Sequence, residues 1–293
     1  MIDSELFHRL RQFAIKWQVA IDETLETETS VIAFGSQHDR QVVLKVGKRA
    51  NDDEWHSGEI LGAFDGNGFV HAYEHVPGAV LLERITPGKS LVELSLKTSD
   101  EEATEILADV MSRMTLIEPG KYAERQTSNT ERRGVPTVED WGKGFARCVA
   151  NGYQQLPPIP VDSAHKVFLQ LCASQRKPRL LHGDLQHYNV LFDSERGWLA
   201  IDPKGVFGEL EYEIAAVMRN PVECPELFLS RATIERRLKQ FATRLNLDYE
   251  RALRWTFAQA VLSAIWKIED GYAIGETKPD LQLAEITQAM IPV

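Results

Sequence analysis

The chain has 293 residues, enough to bury a large core in one domain or in two unequal ones. Its hydrophobic share of 43% and charged share of 26% fit a globular protein, and no apolar run reaches bilayer-spanning length. A net charge of −10 excludes the basic footprint that nucleic acid or an anionic membrane surface requires, so neither is expected as a partner.

Residues 4–17 predict an amphipathic helix, with Leu6, Phe7, Leu10, Phe13, Ile15 and Trp17 near helical spacing. A short strand follows at 19–21, then a polar, turn-like stretch at 22–30. Strands are predicted at 31–34 and 41–46, a helix at 52–64 stopped by Asp65-Gly66-Asn67-Gly68, and a hairpin of 69–75 and 79–83 around Pro77-Gly78. Arg84-Ile85-Thr86-Pro87-Gly88 breaks this pattern, and the division into two lobes, 1–85 and 86–293, is placed there. Beyond it Ser99 and Glu102 spell a capping box for a helix to about 116. Residues 118–136 read as a long polar loop, and Leu156-Pro157-Pro158-Ile159-Pro160 as a stiff connector. Asp162 is read as the cap of a helix to about 174, and helices follow near 230–245, 248–270 and 280–290. The expected fold class is therefore α+β, with a small antiparallel-sheet lobe and a larger, mostly helical one.

The segment 180–205 carries the chemistry. It reads Leu180-Leu181-His182-Gly183-Asp184-Leu185-Gln186-His187-Tyr188-Asn189-Val190-Leu191-Phe192, then a polar turn, then Trp198-Leu199-Ala200-Ile201-Asp202-Pro203-Lys204-Gly205. Phosphoryl transfer from ATP needs a carboxylate to take the proton of the attacking hydroxyl. It also needs an amide oxygen and a second carboxylate to hold magnesium against the phosphates. Asp184 precedes Asn189 by five positions, the spacing of H-R-D-x-x-x-x-N. The apolar runs 190–192 and 198–201 flank Asp193-Ser194-Glu195-Arg196-Gly197 as a β-hairpin would, which returns Asp202 towards Asn189. A lone Asp or Asn before a strand is usually a turn residue; five polar identities in fixed order on this frame are not.

The remaining parts can be sought upstream. Lys45 sits on a strand that is otherwise apolar on both faces, where a charge must be paired. It occupies the context of the V-A-I-K lysine. Val43 and Lys45 share one face; Val42, Leu44 and Val46 share the other. The helix 52–64 offers Glu54 and Glu59 as partners, and Glu54, seven residues before Leu61, is favoured. No G-x-G-x-x-G occurs, so the loop 22–30 would have to cover phosphates with backbone N–H groups and with Thr27, Thr29 or Ser30. Main-chain groups at Glu83–Ile85 are placed at the adenine edge by architecture alone.

With these residues assembled, the chain resembles the kinase-like aminoglycoside phosphotransferases. It is most similar to the branch of streptomycin 6-phosphotransferases and hydroxyurea phosphotransferases. The likeness rests on Leu181-His182-Gly183-Asp184-Leu185 with Asn189-Val190-Leu191, and on Trp198 through Gly205 followed by Glu211-Tyr212-Glu213-Ile214-Ala215. Val43-Leu44-Lys45-Val46, Leu81-Leu82-Glu83-Arg84 with Pro87-Gly88, and Ala258 through Ala264 agree as well. The resemblance implies a bilobal protein-kinase-like fold and ATP-dependent O-phosphorylation of a small hydroxylated molecule. It implies Asp184 as base, Asn189 and Asp202 as ligands of Mg2+, Lys45 as phosphate contact, and a structural role for His182. It implies a cationic, polyhydroxylated acceptor such as streptomycin, whose guanidinium groups would want carboxylates. Glu209, Glu211, Glu213, Glu269 and Asp270 are the candidates, and Trp266 could stack on a guanidinium. Hydroxyurea or an unknown metabolite is the alternative acceptor.

Two other classes fit less well. A protein or lipid kinase lacks support because H-R-D, D-F-G and A-P-E are all missing. A non-catalytic kinase-fold module is at odds with a complete set of lysine, base, asparagine and metal aspartate. Cys148, Cys172 and Cys224 are odd in number and form no C-x-x-C pair, which fits reduced thiols and gives no zinc site. The acidic first five residues lack the basic start and apolar run of a signal peptide. A cytoplasmic monomer or homodimer is expected.

Overall fold

A computed structural model describes residues 4–50, 53–114 and 135–292. The chain forms two compact units: residues 1–91 with 189–205, and 92–188 with 206–293.

In the first unit, α1 (Ser4–Lys16) precedes β1 (Ala20–Glu26), β2 (Ser30–Gln37) and β3 (Arg40–Gly47). A 3-10 turn (Asp53–His56) leads into α2 (Ser57–Phe64), then β4 (Ala72–Val76) and β5 (Ala79–Glu83). The five strands form an antiparallel sheet in the order β1-β2-β3-β5-β4. The alternation of β3 decides its faces. Val42, Leu44 and Val46 are fully buried with Val31, Ala33, Ala79 and Leu81 beneath Leu6, Leu10 and Ala14 of α1 and Trp17 just after it. Each Val or Leu among them contributes about 1.5–3 kcal/mol on burial. Phe7 and Phe13 pack at the edge of this cluster, whereas Ile15 is 79% exposed. The buried stripe is Leu6, Leu10, Ala14 and Trp17, and Ile15 falls on the opposite side.

Two expectations are corrected here. The stretch 22–30 is mostly strand, because Glu23–Glu26 pair with Val31–Phe34 of β2. Backbone pairing overrides a polar composition, and only residues 27–29 turn. The helix at 52–64 begins as the 3-10 turn and becomes α-helical at Ser57.

The same unit holds a second sheet: β6 (Pro87–Ser90), β8 (Val190–Asp193) and β9 (Gly197–Ala200), in the order β6-β8-β9. The hydrogen bonds of the 190–200 hairpin run to β6, to Thr86 (Ser194 N to Thr86 O, 2.8 Å) and to Gly68 and Val70.

In the second unit, α3 (Leu91–Lys97) and α4 (Asp100–Met114) are followed by α5 (Val138–Ala150) and α6 (Pro158–Cys172). Strand β7 (Arg179–Leu181) pairs with β10 (Val206–Gly208), which runs into α7 (Leu210–Met218). Then come α8 (Pro225–Phe228), α9 (Arg231–Leu245), α10 (Tyr249–Glu269) and α11 (Lys278–Gln288). The Ser99 cap is present, its hydroxyl accepting the Glu102 N–H at 3.1 Å. Helix α10 is buried along most of its length, as its near-continuous apolar run requires.

Helix α5 was not anticipated. A Cβ on Gly142 would lie 2.1 Å from Phe168 Cε1, so that glycine serves close helix packing. The proline connector is in fact the start of α6, since proline at the first helical turn gives up no intrahelical bond. Asp162 lies inside that helix and accepts the Tyr153 hydroxyl at 3.1 Å. The expected loop 118–136 lies, save its last two residues, outside the described residues. Among the described residues no helix is long and apolar enough to cross a membrane.

Candidate active site

The first unit pairs Lys45 with Asp202 and places Asn189 at the same end of the hairpin as Asp202. Register does most of this. Val190 faces Ala200 across the hairpin, and the next step outward is an Ile201 N–H donating to the Asn189 carbonyl at 2.9 Å. Asn189 and Asp202 therefore leave the same end of the hairpin. Asp202 adopts a left-handed backbone with φ of 61°, which Asp tolerates better than most residues. The Lys45 ammonium, on the sheet face away from α1, forms an ion pair with Asp202 Oδ1. Lys45 is buried, and the pair answers the question of what balances a charge at a central strand position.

Downstream, Gly205 (φ 77°) packs on α2, where a Cβ would lie 2.6 Å from Ile60 Cδ1. The side chain of Glu54 lies outside the described residues. Glu59 stands in the first turn of α2, 3.9 Å from His56 Nδ1.

Other upstream candidates have structural duties. Ser30 is buried, and its hydroxyl lies 2.9 Å from that of Thr27 in the tight turn between β1 and β2. Lys48 Nζ closes this turn on the Thr27 carbonyl at 2.6 Å. The Glu83 carboxylate accepts the His71 N–H at 2.7 Å and binds the Arg196 guanidinium. Arg196 also donates to the carbonyls of Gly66 (3.1 Å) and Phe69 (2.7 Å), clasping the hairpin tip. Ile85, itself half-buried, follows between the exposed Arg84 and Thr86 in the segment joining β5 to β6.

The second unit holds Asp184 on the loop after β7. The Asp184 N–H donates to Nδ1 of the fully buried His182 at 3.2 Å. Gly183 takes φ of 84°, and its N–H and that of Leu185 each donate to the Glu213 carboxylate at 3.0 Å. Burial pushes the Glu213 carboxyl up, while His182 and the two N–H groups pull the other way. Arg219, at the end of α7, holds its Nη2 at 3.8 Å from Asp184 Oδ1; the two side chains are 15% and 24% exposed. The same guanidinium is anchored by Gln259 and by the Ala215 carbonyl at 3.2 Å.

Behind the loop, buried Arg237 donates to Asp100 and to the carbonyls of Val217 (2.8 Å) and Asn220 (2.9 Å). Burial raises the Asp100 carboxyl, but the Arg237 bonds outweigh it and hold the group well below the usual carboxylate range. His187 lies 3.9 Å from Asp100, and burial, reinforced by Arg237, lowers it from 6.5 to about 3. Glu213, Arg219 and Arg237 were not singled out for these roles by sequence reasoning. Apart from the Ala215 carbonyl, four residues before Arg219, their partners lie 17 to 137 residues away along the chain, so little local signal marks them.

The proposed acceptor carboxylates divide. Glu209 is fully buried and serves Arg251, the Trp255 indole N–H and the Arg176 N–H. Glu211 is buried in the same region, and burial raises its carboxyl. Glu213 is committed to the loop. Glu269 is chelated by Arg147 through bonds of 2.8 and 2.7 Å, which cancels its charge. Asp270 is the exposed C-cap of α10. Trp266 is partly exposed and meets Trp141 edge to face, with ring centroids 5.8 Å apart.

Asp202 and Asn189 offer hard oxygen donors, the Asp202 carboxyl oxygen already set against the Lys45 ammonium. That donor set fits magnesium rather than zinc or copper. Among the described residues no three His, Cys, Asp or Glu side chains gather as a metal-ligand group.

A family model for aminoglycoside/hydroxyurea antibiotic resistance kinases matches residues 16–271. The chain belongs to that family. This kinase is 32% identical over 264 residues to a streptomycin 3''-kinase of Klebsiella pneumoniae, covering 87% of this chain and 91% of that one. It is 28% identical over 230 residues to a hydroxyurea phosphotransferase of Kitasatospora aureofaciens, covering 75% of this chain and 61% of that longer protein. Among solved structures, a thermostable mutant of aminoglycoside phosphotransferase APH(4)-Ia in complex with ADP and hygromycin B aligns with a TM-score of 0.66 at 17% identity. That alignment covers 97% of this chain and 99% of the other, and it establishes a protein-kinase-like α+β fold. This kinase is accordingly a phosphotransferase that acts on a hydroxyl group of a small molecule.

Proposed function

We propose that this kinase transfers the γ-phosphoryl group of ATP to a hydroxyl of a cationic, polyhydroxylated acceptor of the aminoglycoside type, in the cytoplasm. The observation that carries the reading is the Lys45–Asp202 ion pair on a hairpin that starts at Asn189. In the step proposed, the acceptor oxygen forms a bond to phosphorus as the bond from phosphorus to the bridging oxygen of ADP breaks. The electron pair leaves with ADP, and the hydroxyl proton goes to Asp184. Lys45 supplies positive charge for the phosphates. Asn189 and Asp202 would hold magnesium, which when bound neutralises charge on the β- and γ-oxygens and needs only one or two protein carboxylates.

The acceptor reading rests on the streptomycin kinase relative and on α10. Ser263, Trp266 and Asp270 recur at i, i+3 and i+7, one face that passes from buried to exposed. A hydroxyl, an indole and a carboxylate in line suit a sugar-like ring bearing cationic groups.

The test compares phosphorylation of streptomycin, other aminoglycosides, hydroxyurea and neutral sugars under one condition. A specificity constant highest for an aminoglycoside is expected; hydroxyurea or a neutral sugar as best acceptor would refute the acceptor class and leave the chemistry standing. Asp184→Ala should lose on the order of 100- to 10,000-fold in transfer while nucleotide binding survives. Near wild-type transfer by that variant would remove Asp184 as base.

A further inference from the structure

Helix α7 grips the Asp184 loop from both of its ends. Near its start, Glu213 takes the N–H groups of Gly183 and Leu185. At its end, Arg219 stands beside the Asp184 carboxylate. Three residues later, the Val222 N–H donates to the Tyr188 hydroxyl at 3.2 Å. The grip is itself rigid, because buried Arg237 ties down the carbonyls of Val217 and Asn220.

The Arg219 contact differs from the other two. At 3.8 Å it is beyond hydrogen-bond length, so it acts on the carboxylate as a full positive charge held beside it rather than as a hydrogen-bond donor. The guanidinium is kept there by Gln259, which is buried on α10, and by the Ala215 carbonyl. These two acceptors use one side of the planar fork and aim the other at Asp184.

We propose that Arg219 is a positioning residue for Asp184: a cation anchored by Gln259 that fixes the orientation of the base carboxylate towards the acceptor hydroxyl. The proposal rests on the reading of Asp184 as base. It assigns catalytic geometry to a side chain 35 positions downstream of the loop it serves. Misplacing a reacting group by an ångström costs on the order of 100-fold, which sets the scale of the effect.

The experiment measures kcat and both KM values for wild type, Arg219→Met, Arg219→Lys, Gln259→Leu, Asp184→Asn and the Asp184→Asn/Arg219→Met double variant. Arg219→Met should lose roughly 10- to 100-fold in kcat with the KM for ATP within about twofold. Arg219→Lys should recover part of that loss, and Gln259→Leu should fall between wild type and Arg219→Met. In the Asp184→Asn background, removing Arg219 should cost nothing more, because the carboxylate it positions is gone. Wild-type kcat in Arg219→Met, or equal losses in both backgrounds, would overturn the proposal. Should Arg219→Met not fold, Arg219→Lys in the two backgrounds decides the matter in the same way. Wild-type transfer by Asp184→Asn would sink the assignment of the base itself, a separate failure.

Discussion

The two units hold their key residues by different means. In the sheet unit, strand register does the work: backbone bonds of β8 and β9 bring Asn189 and Asp202 to one hairpin end, and one ion pair adds Lys45. In the helical unit, buried polar side chains do it: Glu213, Arg237, Asp100 and Arg219 hold a loop that has little regular pairing of its own. Register tolerates the loss of a side chain. A buried polar network does not, because each broken contact strands a desolvated partner.

That contrast can be broken at its strongest point with Arg237→Ala. It would strip the Val217 and Asn220 carbonyls of their donor and leave Asp100 with the half-exposed Arg236 as its one guanidinium, and a loss of about 3–5 kcal/mol is expected in denaturant unfolding. A loss under 1 kcal/mol would show that the network is not what holds the loop.

Acid should act on the same unit next. His187 is held at about 3 when folded against 6.5 otherwise, so the unfolded chain takes up a proton below pH 6.5 that the folded one refuses. Asp100, lowered in the folded state, contributes stability that is full above the ordinary carboxylate range and drains away only as pH falls through and below it. Both effects destabilise on acidification, the His187 part first. Stability should fall by up to about 1.4 kcal/mol per pH unit from 6.5 downwards, and His187→Asn should flatten that slope above pH 5.

Glu213→Gln is the finer probe. It keeps size but offers one carbonyl oxygen where two N–H groups donate, and about 1–3 kcal/mol should be lost. Faster hydrogen exchange at Gly183 and Leu185 would localise the effect. At the other extreme, Ile15→Lys on α1 should change stability by less than about 0.5 kcal/mol, since that side chain is exposed. A large loss there would mean that the exposed face of α1 is covered in solution.

The same contrast explains what could be read from sequence. Strands β2, β3 and β5, the face of Lys45 and the 190–200 hairpin were legible because alternation and turn chemistry are local. The spacing of Asp184, Asn189 and Asp202 was legible because it is written in one segment. The inward turn of Glu209 and Glu213 was not, since Arg251 lies 42 positions away from Glu209 and a carboxylate looks the same whether it faces a substrate or a buried arginine. Helix α5 meets the same limit: the use of Gly142 shows only once Phe168 is known to need the space.

The Arg196 clasp bears on how this protein can be modified. Residues 194–197 form a polar turn at a hairpin tip, the kind of place where insertions and circular permutations are usually accepted. Here the tip carries the guanidinium that joins Glu83 to the Gly66 and Phe69 carbonyls. An epitope tag or a fluorescent reporter spliced into this turn would unfasten the strand pair that presents Asn189 and Asp202. The polar turn that closes β4 onto β5 is no safer, since a Cβ at Gly78 would meet the Trp55 ring at 2.5 Å.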